Sequence, residues 1–326
     1  MRFVKANRKF WFVILLFLGL FGMLFISTYL YITDSSNQDK NTKISVIVYG
    51  NNSDRWATLK HGIDQGAADY GAQVNFVTMT EESDYKEQKR LLGREIDNGA
   101  DGIIIAATDS NAMADAVEKA SLTLPVVLIE TNVAGVSGLD YLTADNYSMG
   151  LNIGRSVILN SEESKKVAVL MENRQRSSIV ERFDGFMDSL KYSDYEIDLW
   201  EREEDNEDLP QFIQDKLAIT RADIVVALDD STLEAVIDAL GTYDAAAEVY
   251  GIGSTNKIIH YLDYGIIQSI VFQNEFNMGY LSVQELFKDN KDKVNNYFET
   301  EIEFRTINRE TMYLPKNQRL IFPIIQ

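Results

Sequence analysis

The sequence contains no cysteine and only a few residues of two other kinds. The absence of cysteine from 326 residues excludes disulfides, thiol nucleophiles, cysteine-ligated zinc and a lipid-modified amino-terminal cysteine. The two histidines, His61 and His260, lie far apart with no HExxH-like spacing, which gives little support to a histidine metal site. Only four prolines occur, and no long segment is both charge-rich and apolar-poor. We therefore expect a globular protein without a metal or other cofactor.

Positive charge is also scarce. Lys and Arg total 31 against 50 Asp and Glu, which gives a net charge of −19 and a pI near 4.5. Nucleic-acid phosphates require neutralisation by Lys and Arg, so this balance argues against a nucleic-acid partner. With 45% hydrophobic residues, the chain is long enough to form two domains, each with its own core.

One segment, residues 10–32, lacks charged side chains altogether and consists mainly of Phe, Leu, Ile and Val. At helical rise it is long enough to cross the hydrocarbon core of a bilayer. A cleaved signal peptide is the alternative, but the apolar run exceeds a usual h-region and no Ala-x-Ala site follows it. The pattern therefore favours an uncleaved transmembrane anchor.

The flanking charges predict how this anchor is oriented. The positive-inside rule places residues 1–9 in the cytoplasm and everything after the span outside the cell membrane, in an extracellular or periplasmic space. Residues 33–42 are polar and indicate a linker. The charges that support this orientation are the cations Arg2, Lys5, Arg8 and Lys9 before the span and Asp34 after it.

The stretch from Ile44 to Gly62 introduces the folded part of the chain. Its β-branched start is typical of a buried parallel strand, and a polar loop follows. A helix is predicted next, with Asp54 as its N-cap and apolar residues at three- and four-residue spacing. In doubly wound folds ligands bind beyond the carboxyl ends of the strands, so we expect this loop to face a ligand. Trp56 then either packs in the first helical turn or contacts that ligand.

Strand and helix patterns alternate from residue 43 to residue 273 in two successive βαβαβ sets. The predicted fold class is α/β, with two doubly wound parallel-sheet lobes joined by three crossovers near Asp145, Gln273 and the carboxy-terminal strands. A further strand is predicted at Thr311–Tyr313. The amino-terminal lobe is predicted to comprise residues 43–144 and 274–305, and the carboxy-terminal lobe residues 145–273 and 306–326.

Four stretches, in order, resemble the ribose-binding-protein family of type I periplasmic binding proteins, relatives of the sugar-binding domains of lactose-repressor-like regulators. The first is the opening strand, loop and helix with Leu59-Lys-His-Gly, and the second is Ala100 to Ala112 followed by Leu124 to Glu130. The third is Thr143-Ala-Asp-Asn-Tyr-Ser-Met-Gly, which resembles the crossover between lobes. The fourth, Val180-Glu-Arg-Phe-Asp-Gly-Phe, resembles the family's Arg-x-x-Gly-Phe helix. The resemblance covers about 280 residues.

The resemblance implies a set of ligand-binding positions in the cleft. It implies that Trp56 supplies an aromatic platform for a sugar ring and that Arg182 binds sugar hydroxyls through its fork of donors. A surface salt bridge with Glu181 or Asp184 is the alternative for Arg182. The implied positions are Tyr49, Ser53, Arg55, Trp56, Glu130, Thr131, Arg182, Asp229, Gly253 and Gln273.

Three of these positions depart from the family pattern. The Asp-Arg pair that follows the fourth strand in the family is Glu130-Thr131 here, and a late aspartate is replaced by Gly253. These changes alter the hydroxyl pattern that the cleft recognises, so the resemblance does not specify ribose.

The resemblance implies a binding protein that closes on a small polyhydroxylated ligand, a monosaccharide or related polyol. Its membrane partner is expected to be the permease of an ABC importer or, alternatively, a sensor histidine kinase for which this protein is an accessory ligand-sensing subunit. An enzyme is disfavoured because no Gly-x-Ser-x-Gly, no phosphate-binding loop and no His or Cys nucleophile grouping is found. A repressor would need a helix-turn-helix where the apolar span lies.

Overall fold

The computed structural model describes residues 18–28, 42–52, 54–162, 165–202, 208–242, 247–288 and 299–322. It divides into a unit of residues Met1–Thr42 and a unit of residues Lys43–Gln326. In the first unit, residues 18–28 form a helix with exposed side chains. No helix in the described part of the chain is both long and apolar enough to cross a membrane. The predicted tail 1–9, the rest of the predicted span and residues 33–41 of the predicted linker lie outside the described residues.

The second unit contains two six-stranded sheets, each accompanied by helices. The strands of the first sheet are β1 (Thr42–Val48), β2 (Ala72–Thr78), β3 (Gly102–Ile105), β4 (Val126–Ile129), β5 (Asp140–Thr143) and β11 (Glu299–Glu301). The strands of the second are β6 (Lys166–Leu170), β7 (Glu196–Trp200), β8 (Ile224–Ala227), β9 (Glu248–Ile252), β10 (Ile267–Gln273) and β12 (Phe304–Ile307).

Ten helices of this unit connect or flank those strands. Those of the first half are α1 (Ala57–Tyr70), α2 (Tyr85–Asp97), α3 (Ala114–Ser121), α4 (Asn146–Asn160) and α5 (Ser177–Leu190). Those of the second half are α6 (Leu209–Thr220), α7 (Asp230–Thr242), α8 (Asn256–Tyr264), α9 (Glu275–Leu286) and α10 (Pro315–Ile321). The count refers to the described residues alone.

Both sheets have the same strand order. The first is ordered β2-β1-β3-β4-β5-β11 and the second β7-β6-β8-β9-β10-β12. β1, β3, β4, β5 and β11 pair in parallel, as do β7, β6, β8, β9 and β10, whereas β12 is antiparallel to β10. In such a sheet the order in which the strands are added reverses beside the first strand. Ligands usually bind in the crevice beyond the carboxyl ends of the strands at that point.

The chain crosses between the two sheets three times. It crosses after β5, after β10, and between β11 and β12. The predicted lobe boundary between residues 305 and 306 falls inside β12, which pairs entirely with the second sheet. The predicted strand at Thr311–Tyr313 is wrong, because this segment is a turn that leads into α10.

Apolar side chains on both faces of each sheet explain the layered core. In β1, Val46 and Val48 belong to a cluster that contains residues of both sheets, whereas Ile47 belongs to a cluster on the opposite face of the first sheet. A third cluster covers the corresponding face of the second sheet. Strands buried on both faces are expected in parallel sheets covered by helices.

The first helix begins later than the sequence pattern indicates. Asp54 is not its N-cap: residues 54–56 form a turn, and α1 starts at Ala57 with Trp56 preceding it. The amide of Ala57 donates to the carbonyl oxygen of Asp54 at 3.3 Å, which closes that turn. Because Arg55 and Trp56 lie on the turn rather than on the helix surface, both side chains reach the space between the lobes.

Candidate functional site

A cavity of roughly 260 Å³ lies between the two lobes, beyond the carboxyl ends of β1, β2 and β8. This volume is below the ~300–1,000 Å³ of pockets for drug-sized ligands, so the cavity suits a small molecule. Most of its lining side chains are polar. The lining residues are Tyr49, Gly50, Asn51, Asn52, Arg55, Trp56, Thr80, Glu81, Glu82, Arg176, Asp229, Asp230 and Ser231.

The residues predicted from sequence divide into two groups. Four of them line the cavity: Tyr49, Arg55, Trp56 and Asp229. Five others are buried without lining it: Glu130, Thr131, Arg182, Gly253 and Gln273. Ser53 lies outside the described residues.

The guanidinium of Arg55 contacts three carboxylates. Its Nη2 donates to both oxygens of Glu130 at 2.9 and 3.0 Å, its Nε lies 2.9 Å from Oδ2 of Asp230, and its Nη1 donates to Glu275. Burial disfavours the charged guanidinium, but the negative charges of these three groups outweigh burial and raise the pKa of Arg55 well above its usual value. Glu130 belongs to the first lobe and Asp230 to the second, so this network joins the lobes.

Aromatic rings lie beneath two of the guanidinium groups. Arg55 lies 4.3 Å above the centroid of the Trp56 ring, and Arg176 lies 3.5 Å above that of Tyr49. The two rings meet edge to face at 4.9 Å, and the indole nitrogen of Trp56 donates to the carbonyl of Tyr49 at 2.8 Å. Cation–π contacts strengthen when they are desolvated, as these are. One face of the Trp56 ring is therefore covered by the guanidinium of Arg55.

Glu130 is presented by an unusual backbone conformation. Its φ is +60°, in the left-handed region that non-glycine residues rarely adopt. Tyr141 and Thr143 donate through their hydroxyls to its carbonyl oxygen at 2.9 and 3.3 Å, which fixes this conformation. The carboxylate then accepts from the hydroxyl of Tyr49 at 2.7 Å as well as from Arg55. Backbone strain of this kind is concentrated at functional sites.

Arg182 is buried and fully engaged by the protein. Its Nε donates to Asn146 at 2.8 Å, its Nη1 to the carbonyl of Leu228 at 3.0 Å, and its Nη2 to Glu130 at 3.4 Å. The alternative of a surface salt bridge is excluded by its burial, with 2% of the side chain exposed. The resemblance implied contact with ligand hydroxyls, whereas here Arg182 ties the second lobe to Glu130.

Asp229 and Asp230 follow β8 and serve different partners. Asp229 accepts from Asn173 and from the amide of Thr232, both at 2.8 Å, while Asp230 accepts from the amide of Ser254 at 2.8 Å and pairs with Arg55. A Cβ at Gly253 would lie 2.7 Å from Oδ1 of Asp230. The lack of a side chain at Gly253 thus makes room for the carboxylate of Asp230.

Burial and neighbouring charges shift the pKa values of these carboxyls in opposite directions. Burial raises the pKa of Glu275 to about 7, with the negative charges of Asp230 and Glu130 adding to burial and Arg55 opposing it. Burial also acts to raise the pKa of Glu130, but Arg55 and Arg182 outweigh it and the pKa is lowered. The cluster therefore holds a carboxyl that titrates near neutral pH beside one that stays ionised.

Two buried side chains, Arg176 and Gln273, have hydrogen-bonding atoms without a partner. Arg176 is completely buried, yet its Nε and Nη1 make no hydrogen bond, although Nη1 lies 3.8 Å from Asp229. Its Nη2 donates to Glu82 at 3.0 Å. The buried Oε1 of Gln273 also has no partner. Buried donors and acceptors of this kind are normally satisfied, so these atoms mark places for ligand or water.

Several residues of the site were not predicted from the sequence. Glu82 follows β2, Arg176 precedes α5, Asp230 starts α7 and Glu275 starts α9, so each lies just beyond the carboxyl end of a strand. That position is the available sequence signal, because these ends meet at one edge in a parallel sheet. The sequence resemblance did not include them, and Arg176 lies only six positions before the arginine that it did include.

The comparisons with known proteins assign the chain to a family. Residues 44–288 match the family described as Periplasmic binding protein domain, and the chain belongs to that family. Its two lobes have the type I periplasmic binding fold. No curated protein matches the sequence.

Solved structures share this fold at low sequence identity. A solute-binding protein from Agrobacterium vitis with bound D-fucose has a TM-score of 0.77 at 20% identity, covering 86% of this chain and 100% of its own. A carbohydrate transporter solute-binding protein from Agrobacterium radiobacter in complex with D-arabinose has a TM-score of 0.76 at 20% identity, covering 87% and 99%. The XylFII-LytSN complex contains a chain with a TM-score of 0.69 at 19% identity, covering 82% and 98%.

Proposed function

We propose that this protein is a membrane-anchored, extracytoplasmic binding protein for a monosaccharide or related polyol and that it delivers its ligand to an ABC importer. The family supplies the two-lobed fold, and the related structures with D-fucose and D-arabinose support a sugar. The apolar segment 10–32 and its flanking charges support an anchor with the lobes outside. The protein binds its ligand without transforming it.

One observation carries the ligand class: Arg176, which has two unpartnered donor nitrogens, lines the same cavity as the acceptor carboxylates of Glu82, Asp229 and Asp230. A hydroxyl group both donates and accepts, so adjacent hydroxyls satisfy both kinds of group at once. Asn51, Asn52 and Thr80 add further donors and acceptors around the rim. A purely apolar molecule would leave these atoms unpaired, which costs about 1–3 kcal/mol for each buried group.

A binding screen on the full-length chain tests this proposal. The protein is purified in a detergent without a sugar headgroup and freed of bound solute by unfolding and refolding. Monosaccharides, inositols and other polyols are then compared by thermal shift and isothermal calorimetry. We expect at least one to bind, because the cavity between the lobes is lined mainly by polar side chains whose donors and acceptors match hydroxyl groups. Binding of no polyol in the panel would overturn the ligand class.

The role of the bound form requires a second experiment. An accessory role for a sensor histidine kinase is the alternative to import, and the similarity to a chain of the XylFII-LytSN complex is the observation that favours it. Deleting the gene should abolish uptake of the radiolabelled ligand if the protein serves an importer. Unchanged uptake together with loss of the ligand's transcriptional response would support the sensor instead.

A further inference from the structure

The environment of Arg55 has the features of a binding site for a free guanidinium ion. Acceptors surround every edge of its planar group: Asp230 at Nε, Glu275 at Nη1 and Glu130 at Nη2. The ring of Trp56 lies against its face at 4.3 Å. Planar guanidinium groups favour carboxylate partners at their edges and aromatic rings at their faces. Only 9% of the Arg55 side chain is exposed.

The three carboxylates come from different parts of the fold. Glu130 follows β4 of the first sheet, Asp230 follows β8 of the second, and Glu275 begins α9 directly after the crossover that ends β10. Arg55 itself lies on the turn before α1, in the first lobe. Its pairing with Asp230 therefore connects one lobe to the other.

We propose that Glu130, Asp230, Glu275 and the indole of Trp56 form a guanidinium-binding site whose built-in occupant is the side chain of Arg55, and that this occupant holds the two lobes closed when no solute is present. The proposal does not depend on the identity of the solute or on the importer role. Arg55 lines the cavity, and a solute would bind beside its side chain.

The charge balance explains why the occupant matters for closure. Without Arg55, three carboxylates would share one pocket. Of these three, Arg182 contacts only Glu130, at 3.4 Å. Like charges in a poorly solvated pocket repel one another, and opening the lobes would bring water to them. Other contacts also join the lobes: Arg176 and Ser231 both reach Glu82, at 3.0 Å. The test must therefore isolate the contribution of Arg55.

Distance measurements on the full-length chain provide that test. The sequence has no cysteine, so Arg90→Cys in α2 and Ala218→Cys in α6, both exposed, introduce one spin label on each lobe. Solute-free wild type carrying these labels should show the short interlobe distance of the closed form. A predominantly long distance in solute-free wild type would overturn the proposal.

Removing the occupant should open the cleft, and a free cation should close it again. Arg55→Ala is expected to lengthen the label distance. Low-millimolar methylguanidinium chloride should restore the short distance and raise the melting temperature of Arg55→Ala by a few degrees, with no such effect on wild type. Sodium chloride and urea at equal concentration control for ionic strength and for planar shape. An Arg55→Ala protein that stays closed, or that does not respond to methylguanidinium, would contradict the proposal.

Two further variants keep the test decisive. Arg94→Ala removes an exposed arginine that pairs with Glu95 outside the cleft, and it should leave the interlobe distance unchanged. If Arg55→Ala fails to fold, Arg55→Lys replaces it, because a single ammonium group cannot contact three carboxylates with the geometry of a guanidinium. We expect partial opening of Arg55→Lys, and a distance equal to that of wild type would count against the occupant role.

Discussion

At the scale of the residue, the cleft contains three buried arginines with different amounts of free bonding capacity. Arg55 and Arg182 are bonded to the protein through each of their nitrogens, whereas Arg176 has two nitrogens without a hydrogen-bond partner. Removing a protein-bonded arginine changes the fold of the cleft as well as its ligand contacts. Arg176 is therefore the arginine at which a ligand effect is best separated from a structural one.

We expect Arg176→Ala to weaken binding of the best polyol from the screen by at least about tenfold. The reason is the loss of one or more charge-assisted hydrogen bonds, each worth about 1.5–3 kcal/mol. Isothermal calorimetry measures the change. Arg174→Ala is the matched control, because Arg174 is exposed and pairs with Glu201. Equal affinities of Arg176→Ala and Arg174→Ala would contradict the assignment of Arg176 to the ligand site.

Glu275 makes stability depend on pH. Because its pKa is raised to about 7 in the fold, the folded protein retains a proton between pH ~4.5 and ~7 that the unfolded chain has released. The free energy of unfolding should therefore fall as the pH rises through this window, by on the order of 3 kcal/mol from this group. Arg55, Asp230 and Glu130 are the charged groups that face it.

Glu275→Gln cannot ionise, so we expect it to lose less stability than wild type between pH 5 and pH 8. Urea unfolding at several pH values within this range measures the difference. Glu285→Gln removes a carboxyl from the same helix that pairs with Lys288 outside the cluster, and it controls for the change in net charge. A profile of Glu275→Gln as steep as that of Glu285→Gln would show that Glu275 does not cause the dependence.

The family resemblance was sufficient to predict that Tyr49, Arg55, Trp56 and Asp229 lie at the ligand cavity. It was not sufficient to find their partners. Which carboxylate meets Arg55 depends on how the strand ends of two sheets and the start of α9 come together in space. Local sequence patterns do not specify how these parts of the fold come together. For the same reason they do not predict the stacking of Arg176 on Tyr49. The contact of a ligand with Ser53 stays a prediction.

At the scale of the element, two helix pairs are packed through glycine. A Cβ at Gly62 or Gly279 would collide with the backbone of the facing helix in the α1–α9 pair. Gly150 and Gly185 play the same part in the α4–α5 pair. Gly62 and Gly185 are the glycines of two motifs that indicated the family. Both positions allow close packing of two helices, a role that the spacing of residues in the sequence does not reveal.

Gly185→Ala should lower the free energy of unfolding by about 3 kcal/mol or more. The added methyl group meets the carbonyl of Tyr147, and backbone cannot move aside as a flexible side chain can. Gly93→Ala is the matched control, because no atom lies within 4 Å of the added Cβ in the exposed middle of α2. It should stabilise the protein by roughly 0.5–1 kcal/mol through helix propensity. Chemical denaturation measures the free energy of unfolding of both variants. Equal stabilities of Gly185→Ala and Gly93→Ala would contradict the packing role of Gly185.

Elements were predictable where the apolar pattern is regular. Strands such as β3 and β4, apolar throughout, stand out in any buried parallel sheet. The start of α1 was not predictable, because Asp54 is an acceptable N-cap by type, yet the chain uses residues 54–56 as a turn that carries Arg55 into the cleft. Contacts across the cleft, which local helix propensity does not include, decide whether residues 54–56 form a turn or the start of the helix.

At the scale of the whole molecule, the proposed orientation can be tested with the same engineered cysteine. Arg90→Cys in the folded unit should react with a membrane-impermeant maleimide in intact cells, because the lobes are proposed to lie outside. Lys5→Cys, in the proposed cytoplasmic segment, should react only after lysis. Since the chain has no other cysteine, labelling reports each site alone. Protection of Arg90→Cys in intact cells would overturn the extracytoplasmic location.

The third crossover has a consequence for how the protein is made. β11 completes the edge of one sheet and β12 the edge of the other, with only residues 302 and 303 between them. Both sheets therefore depend on the same short stretch of chain, which is synthesised after all their other strands. Until that stretch is made, each sheet lacks one edge strand, so the two sheets are completed together rather than one after the other.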